Sequence, residues 1–399
     1  MPLDHLGKLS IDEQLRLLQE CEKKGVHLSD MLNSRQLTYD NLRYVETRED
    51  QEAPIARTIE EVEAMPACVP AVSFFSGCGG LDIGFGLAGF LNIAAIELNP
   101  IFCDTLRLND PKKTVIGPPG YSGDISNRDE LHGILTKLLG RGKFGGVFHG
   151  GPPCQPFSVA SNQRFSKDGD KFKRTGFDDA QKGGLLFDFI WFVKEFQPLA
   201  FLIENVAGIE QMDDKGAVKS ALGDLASAGY TISPPVLANS AFYGVPQKRV
   251  RWLTLGTRLS KGIELPVPNA FPYPCQSVFK RPLGKAPNHE TRAHSAESVS
   301  RYMALPFGGR DKLGRVDRLD PLLPSKTVIA GGTQGGGRSH LHPNSPRTLS
   351  ARECARLQTF PDSYVFMGST ARQFTQVGNA VPPLMGYQFA LSLKAGLSR

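Results

Sequence analysis

One cysteine of this sequence is placed for covalent chemistry. Cys154 lies in the segment Gly150-Gly-Pro-Pro-Cys-Gln-Pro-Phe-Ser158, directly after a short apolar run that predicts a β-strand. The prolines on both sides of the cysteine predict a rigid turn, which would present a thiolate in a fixed geometry. A buried, inert cysteine in a proline turn is the alternative, because cysteine is among the most buried residue types. The constraint on the turn favours a nucleophile.

A carboxylic acid at the end of a later predicted strand complements this thiol. The segment Leu202-Ile-Glu-Asn-Val206 places Glu204 at the same sheet edge as Cys154, and a buried glutamate is rare without a partner or a purpose. A thiolate beside an acid that donates a proton suits conjugate addition to a pyrimidine. In that reaction the sulfur attacks C6 and the acid protonates, or hydrogen-bonds, N3, so that C5 becomes nucleophilic.

Two arginines alternate in the segment Gln247-Lys-Arg-Val-Arg251. The guanidinium groups of Arg249 and Arg251 suit a carbonyl oxygen or phosphate groups. On spacing alone, the two side chains could equally lie on a solvated strand face, so the sequence leaves their role open.

A glycine-rich segment near the start of the α/β pattern indicates a second site. Phe74-Phe-Ser-Gly-Cys-Gly-Gly80 follows a predicted strand and opens a helix, so its backbone can approach a ligand closely. Glu97, at the end of the next strand, is suited to two ribose hydroxyls, and Asp124 could accept from an adenine amino group. The segment lacks the glycine spacing of dinucleotide sites and the Gly-Lys-Ser/Thr of phosphate loops. An adenosine-type ligand without a triphosphate is therefore expected rather than NAD or ATP.

Alternating strands and helices must position these residues. Strands are predicted at 71–75, 93–96, 145–149 and 199–203, with a helix at 185–196 between the last two and further helices at 349–357 and 384–393. This alternation predicts an α/β fold with an open, mostly parallel sheet and helices on both faces. In such sheets ligands bind beyond the carboxyl ends of the strands, where all the residues above fall.

Two regions depart from the α/β pattern. Residues 257–346 are rich in proline and glycine and predict a loop-rich domain. The first 66 residues predict short helices at 11–24, where Ser10 and Glu13 form a capping box and Gly25 a stop, then at 28–32 and 39–45. A DNA-binding helix-turn-helix and an interaction module both fit this segment, and its acidity favours the interaction module. The predicted domains are 1–66, 67–258 with 347–399, and 259–346.

The charge of the chain is unevenly distributed. A net charge of +6 combines a segment 1–66 that has 14 acidic and 8 basic residues with a remainder that has 26 acidic and 38 basic residues. The basic excess fits either a polyanionic partner or a solubilising surface. Seven cysteines without close pairing predict a reducing compartment. The lack of a long apolar run or an apolar amino-terminal signal segment predicts a cytoplasmic protein with no membrane partner.

Taken in order, these motifs closely resemble those of the DNA (cytosine-5) methyltransferase family. The resemblance runs from about Ala71 to Leu393, apart from the loop-rich region, and its specificity lies in the order of several short motifs. They are Phe74-Phe-Ser-Gly-Cys-Gly-Gly-Leu81, Glu97, Asp124, Gly151-Pro-Pro-Cys-Gln155, Glu204-Asn-Val206, Gln247-Lys-Arg-Val-Arg251, Arg347-Thr-Leu-Ser-Ala-Arg-Glu-Cys-Ala-Arg-Leu-Gln-Thr-Phe-Pro-Asp362 and Gln376-Val-Gly-Asn-Ala-Val-Pro-Pro383.

The resemblance implies a Rossmann-like methyltransferase fold and S-adenosylmethionine as methyl donor, with S-adenosylhomocysteine as product. Cys154 would be the nucleophile and Glu204 the acid, with Arg249 and Arg251 flanking a cytosine that is flipped out of the duplex. Phe74 would lie against the adenine, Glu97 would hold the ribose, and Asp124 would recognise the base edge. The further implied cofactor contacts are Ser76, Gly77, Gly79, Gly80, Leu81, Ile125, Pro152, Leu186, Asn379 and Ala380.

The same resemblance implies duplex DNA as partner and makes 259–346 the target-recognition domain. We expect a monomer on DNA, associated with the nucleoid of a bacterium, without a metal and with a cognate restriction endonuclease in the same system. Methylation of tRNA is an alternative, but its Cys-Phe-Thr signature is missing. A catalytically retired DNA-binding regulator is another, disfavoured because Cys154 and Glu204 lie in intact motifs. The expected DNA contacts are Gln155, Ser158, Gln163, Arg292, Arg310 and Arg315.

Overall fold

The computed structural model describes residues 2–48, 54–153, 184–209, 216–330 and 340–398. Within these ranges the strands are β1 (Val69–Phe74), β2 (Phe90–Ile96), β3 (Thr114–Ile116), β4 (Val147–Gly150), β5 (Ala200–Val206), β6 (Thr231–Ile232), β7 (Val236–Asn239), β8 (Val250–Thr257), β9 (Arg310–Asp311), β10 (Val316–Arg318) and β11 (His340–Leu341). The helices there are α1 (Ile11–Lys24), α2 (Leu28–Ser34), α3 (Gly80–Leu87), α4 (Pro100–Asn109), α5 (Arg128–Leu139), α6 (Gly184–Phe196), α7 (Ala217–Ser227), α8 (Gln276–Lys280), α9 (Ala296–Met303), α10 (Ala351–Leu357), α11 (Thr370–Asn379) and α12 (Pro383–Leu397).

The central sheet has the strand order β3-β2-β1-β4-β5-β8-β6, and β7 also pairs with β8. Strands β3, β2, β1, β4 and β5 are parallel, whereas β8 is antiparallel to β5, β6 and β7. The strand order reverses at β1 and β4, which opens a crevice at their carboxyl ends. The predicted α/β fold with a mixed, mostly parallel sheet is confirmed.

Helices cover both faces of the sheet. One core cluster joins side chains of the strands to α5, α6 and α7, and a second joins them to α3 and α12. Strands β4 and β5 are buried on nearly every residue, as expected for parallel strands that lie between two helical layers. This packing holds the carboxyl ends of β1, β2, β4 and β5 at one edge. None of the helices in the described ranges is long and apolar enough to cross a membrane.

The region after β8 has a small sheet of its own. Its strand order is β11-β10-β9, with β10 antiparallel to β9 and parallel to β11. Only short helices, α8 and α9, accompany this sheet within residues 258–330, which agrees with the loop-rich composition. The predicted domain boundaries remain predictions.

The amino-terminal extension packs against this region. A cluster of buried apolar side chains from α1, α2 and the following turn meets Val299 and Met303 of α9. The Tyr39 hydroxyl donates to the His294 carbonyl oxygen at 2.9 Å and accepts from the His294 amide at 2.8 Å. The prediction of a helix at 39–45 is wrong, because the structure has only a 3₁₀ turn at Tyr39–Asn41. These long-range contacts compete successfully with local helix formation there.

An ion-pair chain centred on the buried Arg347 ties the extension to α10. The Arg347 Nε atom donates to Asp40 Oδ1 at 2.7 Å, and its Nη2 atom donates to Glu353 Oε1 at 2.7 Å. Burial alone would raise the pKa of Glu353, but the Arg347 guanidinium holds it at about 2. The acidic extension therefore packs against other parts of the same chain.

We predict that a Leu17→Ala substitution destabilises the protein by about 2–5 kcal/mol, because it opens a cavity in a packed apolar cluster. Leu17, on α1, is fully buried in the apolar cluster that joins the extension to α9. Leu15, on the same helix, is 40 % exposed, so Leu15→Ala should change stability by less than about 0.5 kcal/mol. Chemical denaturation of both variants checks this difference. Equal, small effects would mean that the extension does not contribute to the folded core.

Candidate active site

The glycine-rich turn after β1 has a backbone that favours glycine. Gly77 and Gly79 have φ values of 56° and 82°, a left-handed conformation that costs other residues more. Gly80 begins α3, and a Cβ atom there would lie 2.2 Å from the Val381 carbonyl oxygen. The carboxyl-terminal segment that contains the predicted contacts Asn379 and Ala380 is therefore brought against this turn.

The prediction that Phe74 lies against the adenine is wrong, because the structure leaves this side chain inaccessible. Phe74 is fully buried, and its ring lies 5.0 Å from that of Phe148 and 5.1 Å from that of Phe189, so no face remains for a ligand. Phe75 follows the strand with φ 53° and is only partly buried. Because β1 is buried on both faces, the sequence pattern cannot distinguish these neighbours. Phe75 is the better candidate for contact with a base.

Glu97 links the ends of β1 and β2. Its Oε2 atom accepts from the Gly77 amide at 2.8 Å, and its Oε1 atom accepts from the Asn99 amide at 2.8 Å. Burial raises the pKa of this carboxyl group, and these backbone donors oppose the shift. A Cβ atom on Gly123 would lie 2.1 Å from the Glu97 carbonyl oxygen. The close approach sets Asp124, the predicted partner of an adenine, beside Glu97 in the fold.

The remaining predicted cofactor contacts differ in exposure. Asp124 is partly exposed, and its Oδ1 atom accepts from the Ser126 amide and hydroxyl. Ser76 donates its hydroxyl to Ser73 Oγ at 2.9 Å, inside the turn. Asn379 is exposed at the end of α11. Five others are buried and could contribute only a wall or a floor: Leu81, Ile125, Pro152, Leu186 and Ala380.

Glu204 lies against the segment that leads to the predicted nucleophile. A Cβ atom on Gly151 would lie 2.5 Å from Glu204 Oε2, so glycine is the residue that admits this carboxylate. The Asn205 side chain also donates to the Pro152 carbonyl oxygen at 3.2 Å. Both residues, Gly151 and Asn205, stand in motifs that the sequence analysis quoted, but it assigned neither of them a role. Cys154, with the predicted DNA contacts Gln155, Ser158 and Gln163, lies outside the described residues.

Glu204 is paired with Arg251 across two antiparallel strands. Val206 of β5 faces Arg251 of β8, which makes Glu204 and Arg251 diagonal neighbours on one face of the sheet. The Arg251 Nε atom lies 2.8 Å from Glu204 Oε1. Burial raises the pKa of Glu204, and the positive charges of Arg251 and Arg249 oppose this rise. A carboxyl group of this kind can hold a proton closer to neutral pH than an exposed glutamate does.

The prediction that Arg249 flanks the cytosine is wrong. Its side chain is 1 % exposed, and its guanidinium donates to the Val328 carbonyl oxygen at 3.1 Å and to the Gly378 carbonyl oxygen at 2.8 Å. The side chain joins the segment after β10 to α11 and has no surface to offer a substrate. The spacing of two residues predicted that both arginines could share a strand face, but Arg249 precedes β8 and the spacing does not show what covers each side chain.

The predicted DNA contacts of the loop-rich region all lie on its surface. Arg292, Arg310 and Arg315 are exposed, and Arg310 Nη1 pairs with Asp317 Oδ2 at 2.8 Å. Arg315 has a φ of 53° at the turn between β9 and β10. Within the ranges that the structure describes, no group of three His, Cys, Asp or Glu residues is arranged to hold a metal ion.

Comparisons with known proteins agree with this geometry. The family model for C-5 cytosine-specific DNA methylase matches residues 69–304 and 285–395. The type II methyltransferase M.NgoFVII of Neisseria gonorrhoeae is 32% identical over 348 residues, which cover 81% of this chain and 85% of the relative. M1.HphI of Haemophilus parahaemolyticus is 31% identical, with coverages of 80% and 85%. A crystal structure described as a DNA modification methyltransferase encoded within an E. coli prophage superposes with a TM-score of 0.67 at 26% identity, covering 83% of this chain and 100% of that one.

Proposed function

The chain belongs to the family of C-5 cytosine-specific DNA methylases, and we propose that it transfers a methyl group from S-adenosylmethionine to C5 of a cytosine within a specific duplex DNA sequence. The close approach of Glu204 to Gly151, three residues before Cys154, carries this proposal. It sets the acid beside the segment that bears the nucleophile.

The two residues divide the chemistry between them. The Cys154 thiolate forms a bond to C6, and the electron pair of the 5,6 double bond moves towards C5 while Glu204 protonates or hydrogen-bonds N3. S-adenosylmethionine, when bound, supplies an electrophilic methyl group. Loss of the C5 proton then restores the double bond as the thiolate leaves C6. This face-on attack requires the cytosine to leave the base stack.

Arg251 holds the acid in place for this reaction. Its Nε atom donates to Glu204 and its Nη1 atom donates to the Val250 carbonyl oxygen at 2.8 Å. The guanidinium carries five N–H donors, so it can also donate to a carbonyl oxygen such as O2 of the cytosine. Arg249 contributes indirectly, because its guanidinium joins the Val328 and Gly378 carbonyl oxygens just before β8 begins.

The residues at the ends of β1 and β2 fit the proposed cofactor. The Glu97 carboxylate suits the two ribose hydroxyls, the ring of Phe75 suits the adenine, and the Asp124 carboxylate suits the adenine amino group. Ala380 comes against the same turn from the carboxyl-terminal segment, and Asn379 directly precedes it. This combination of a carboxylate pair, an aromatic ring and glycine amides matches the polar and apolar parts of an adenosine group.

We predict that Glu97→Gln raises the Kd for the cofactor by about tenfold, because one charged acceptor of a ribose hydroxyl is lost. Calorimetric titration with S-adenosylhomocysteine measures this change. Glu195→Gln, on the exposed surface of α6, is the matched control and should leave the Kd unaltered. An unchanged Kd for Glu97→Gln would exclude the proposed ribose contact.

The relatives that are named type II methyltransferases support a role in a restriction system. We therefore infer that the protein protects its target sites from a cognate endonuclease. We further propose that it acts as a monomer on DNA and is associated with the nucleoid in the cytoplasm.

Methyl transfer to purified nucleic acids tests the proposed function. With a labelled donor, we expect incorporation into duplex DNA, and bisulfite sequencing of DNA from cells that express the protein should locate a single target sequence. Incorporation into tRNA alone would replace the proposal with the tRNA alternative. Binding of DNA without any transfer would indicate the catalytically retired regulator.

A further inference from the structure

The turn between β9 and β10 presents an apolar side chain among positive charges. Leu313 is 75 % exposed, and its neighbours Lys312 and Arg315 are exposed as well. We call residues 310–318 the recognition hairpin. A single exposed apolar side chain is ordinary on a protein surface, but one that lies among basic side chains suits a polyanion with apolar parts.

The tip of the recognition hairpin is held in one conformation. The Gly314 amide donates to Asp311 Oδ2 at 2.6 Å, and a Cβ atom on Gly314 would lie 2.9 Å from the Tyr302 hydroxyl. Asp311 is buried, and its Oδ1 atom lies 3.3 Å from Arg301 Nε. Because Tyr302 and Arg301 belong to α9, this helix supports the tip. Leu313 is thus a fixed apolar projection, and its binding would cost little ordering entropy.

A buried carboxylate orients two further cations beside the hairpin. Asp317 is 4 % exposed and pairs with Arg310 Nη1 at 2.8 Å and with Lys326 Nζ at 3.0 Å. The side chains of these two cations remain 53% and 61% exposed. Arg310 and Lys326 are therefore held in position by Asp317 while part of each side chain faces solvent.

A further lysine, Lys248, lies between these cations and the catalytic acid Glu204 along the fold. The Lys248 amide donates to the Ser325 carbonyl oxygen at 2.8 Å, and the Thr327 hydroxyl donates to the Lys248 carbonyl oxygen at 2.6 Å. Lys326 lies between these two anchors, and Lys248 is exposed three residues before Arg251, the partner of Glu204. Lys248, Lys326 and Arg310 thus form a strip, here called the cation strip, between the active edge and the recognition hairpin.

We propose that the recognition hairpin reads the target sequence through Leu313, which contacts base edges, while the cation strip binds phosphates between that base contact and the flipped cytosine. Apolar contact distinguishes the thymine methyl group and can wedge between base steps, whereas phosphate contacts position the protein without reading sequence. The inference rests on the proposed function and names the residues that would give that activity its specificity.

Methylation of a randomised duplex library, followed by bisulfite sequencing, tests the role of Leu313. We expect Leu313→Ala to lower discrimination at one or more target positions by roughly fivefold or more, with an unchanged Kd for S-adenosylhomocysteine. Leu91→Ala, which alters a side chain 55 % exposed on β2, is the control and should retain the wild-type preference. An unaltered preference in Leu313→Ala, or a uniform loss for all sequences, would overturn the assignment.

The salt dependence of binding tests the cation strip. Lys326→Ala should weaken binding of all duplex sequences equally and reduce the slope of log affinity against log salt by about 1. Lys394→Ala, on α12, is the control and should leave the slope unchanged. An unchanged slope in Lys326→Ala would remove the strip from the interface. If the wild type itself transferred no methyl group to DNA, the proposed function would fail, whereas active wild type with unaffected variants would refute only the hairpin.

Discussion

Replacement of Cys154 by serine is expected to lower the rate of methyl transfer by roughly 10³-fold or more. An alcohol is far less ionised than a thiol near neutral pH, so the bond to C6 would form too slowly for turnover. Binding of S-adenosylhomocysteine should be retained, since the proposed cofactor contacts other than Pro152 lie on other segments and the substitution leaves Pro152 unchanged. Single-turnover transfer from a labelled donor to duplex DNA measures the loss.

A matched control is available for this variant. Cys68 is an exposed free cysteine just before β1, and Cys68→Ser should transfer methyl groups at the wild-type rate. A DNA duplex with 5-fluorocytosine at the target should in addition trap a covalent complex with the wild type, because the fluorine at C5 cannot leave as a proton does. A near-normal rate in Cys154→Ser, or no trapped complex with the wild type, would contradict attack by this thiol.

The second large effect is expected from Glu204→Gln, which should lower kcat by roughly 10²–10⁴-fold. The amide still fills the space beside Gly151 but has no acidic proton to give to N3. The Glu22→Gln variant, on the exposed face of α1, controls for the substitution itself. If Glu204→Gln unfolds at the same denaturant concentration as the wild type, the loss of kcat arises from the chemical step and not from unfolding of the protein.

The pH dependence gives this variant a second readout. Burial raises the pKa of Glu204 above its usual range, so the protonated acid is present below that raised pKa and is lost as the pH rises through it. We expect the wild-type kcat to fall as the pH rises through the pKa of Glu204, which gives its pH profile an alkaline limb. The profile of Glu204→Gln should lack this limb. An alkaline limb of the same position in both enzymes would assign the titration to another group.

Local signals in the sequence located four strands of the central sheet and the capped helices α1 and α10. Ser10 and Ser350 cap α1 and α10 through capping boxes with residues three positions later, and such bonds depend on nearest neighbours along the chain. Three predicted strands end within one residue of the observed ends of β1, β2 and β4, because a short apolar run stops where a polar or glycine residue follows. Glu97 was found for this reason, whereas β5 continues to Val206, so that Glu204 lies inside the strand and not at its end.

Residues on doubly buried strands were harder to assign. Phe74 and Phe75 have the same chemistry, and only the packing of Phe148 and Phe189 around the first ring shows which one is unavailable to a ligand. Arg249 posed the same difficulty. Its two carbonyl partners come from segments 79 and 129 residues away, and no local pattern encodes such contacts.

The sequence by itself determined the type of fold, the family and the chemistry, because strand periodicity, helix caps and short motifs depend on residues close together in the chain. Only the tertiary structure decided which side chains remain accessible. It also decided that the acidic extension packs on the loop-rich region, and that Asp40 of the extension meets Arg347, just beyond that region, across 307 residues of sequence. Burial and ion pairing at that distance arise from the packing of whole elements, which determines whether a charged side chain meets solvent, substrate or another part of the chain.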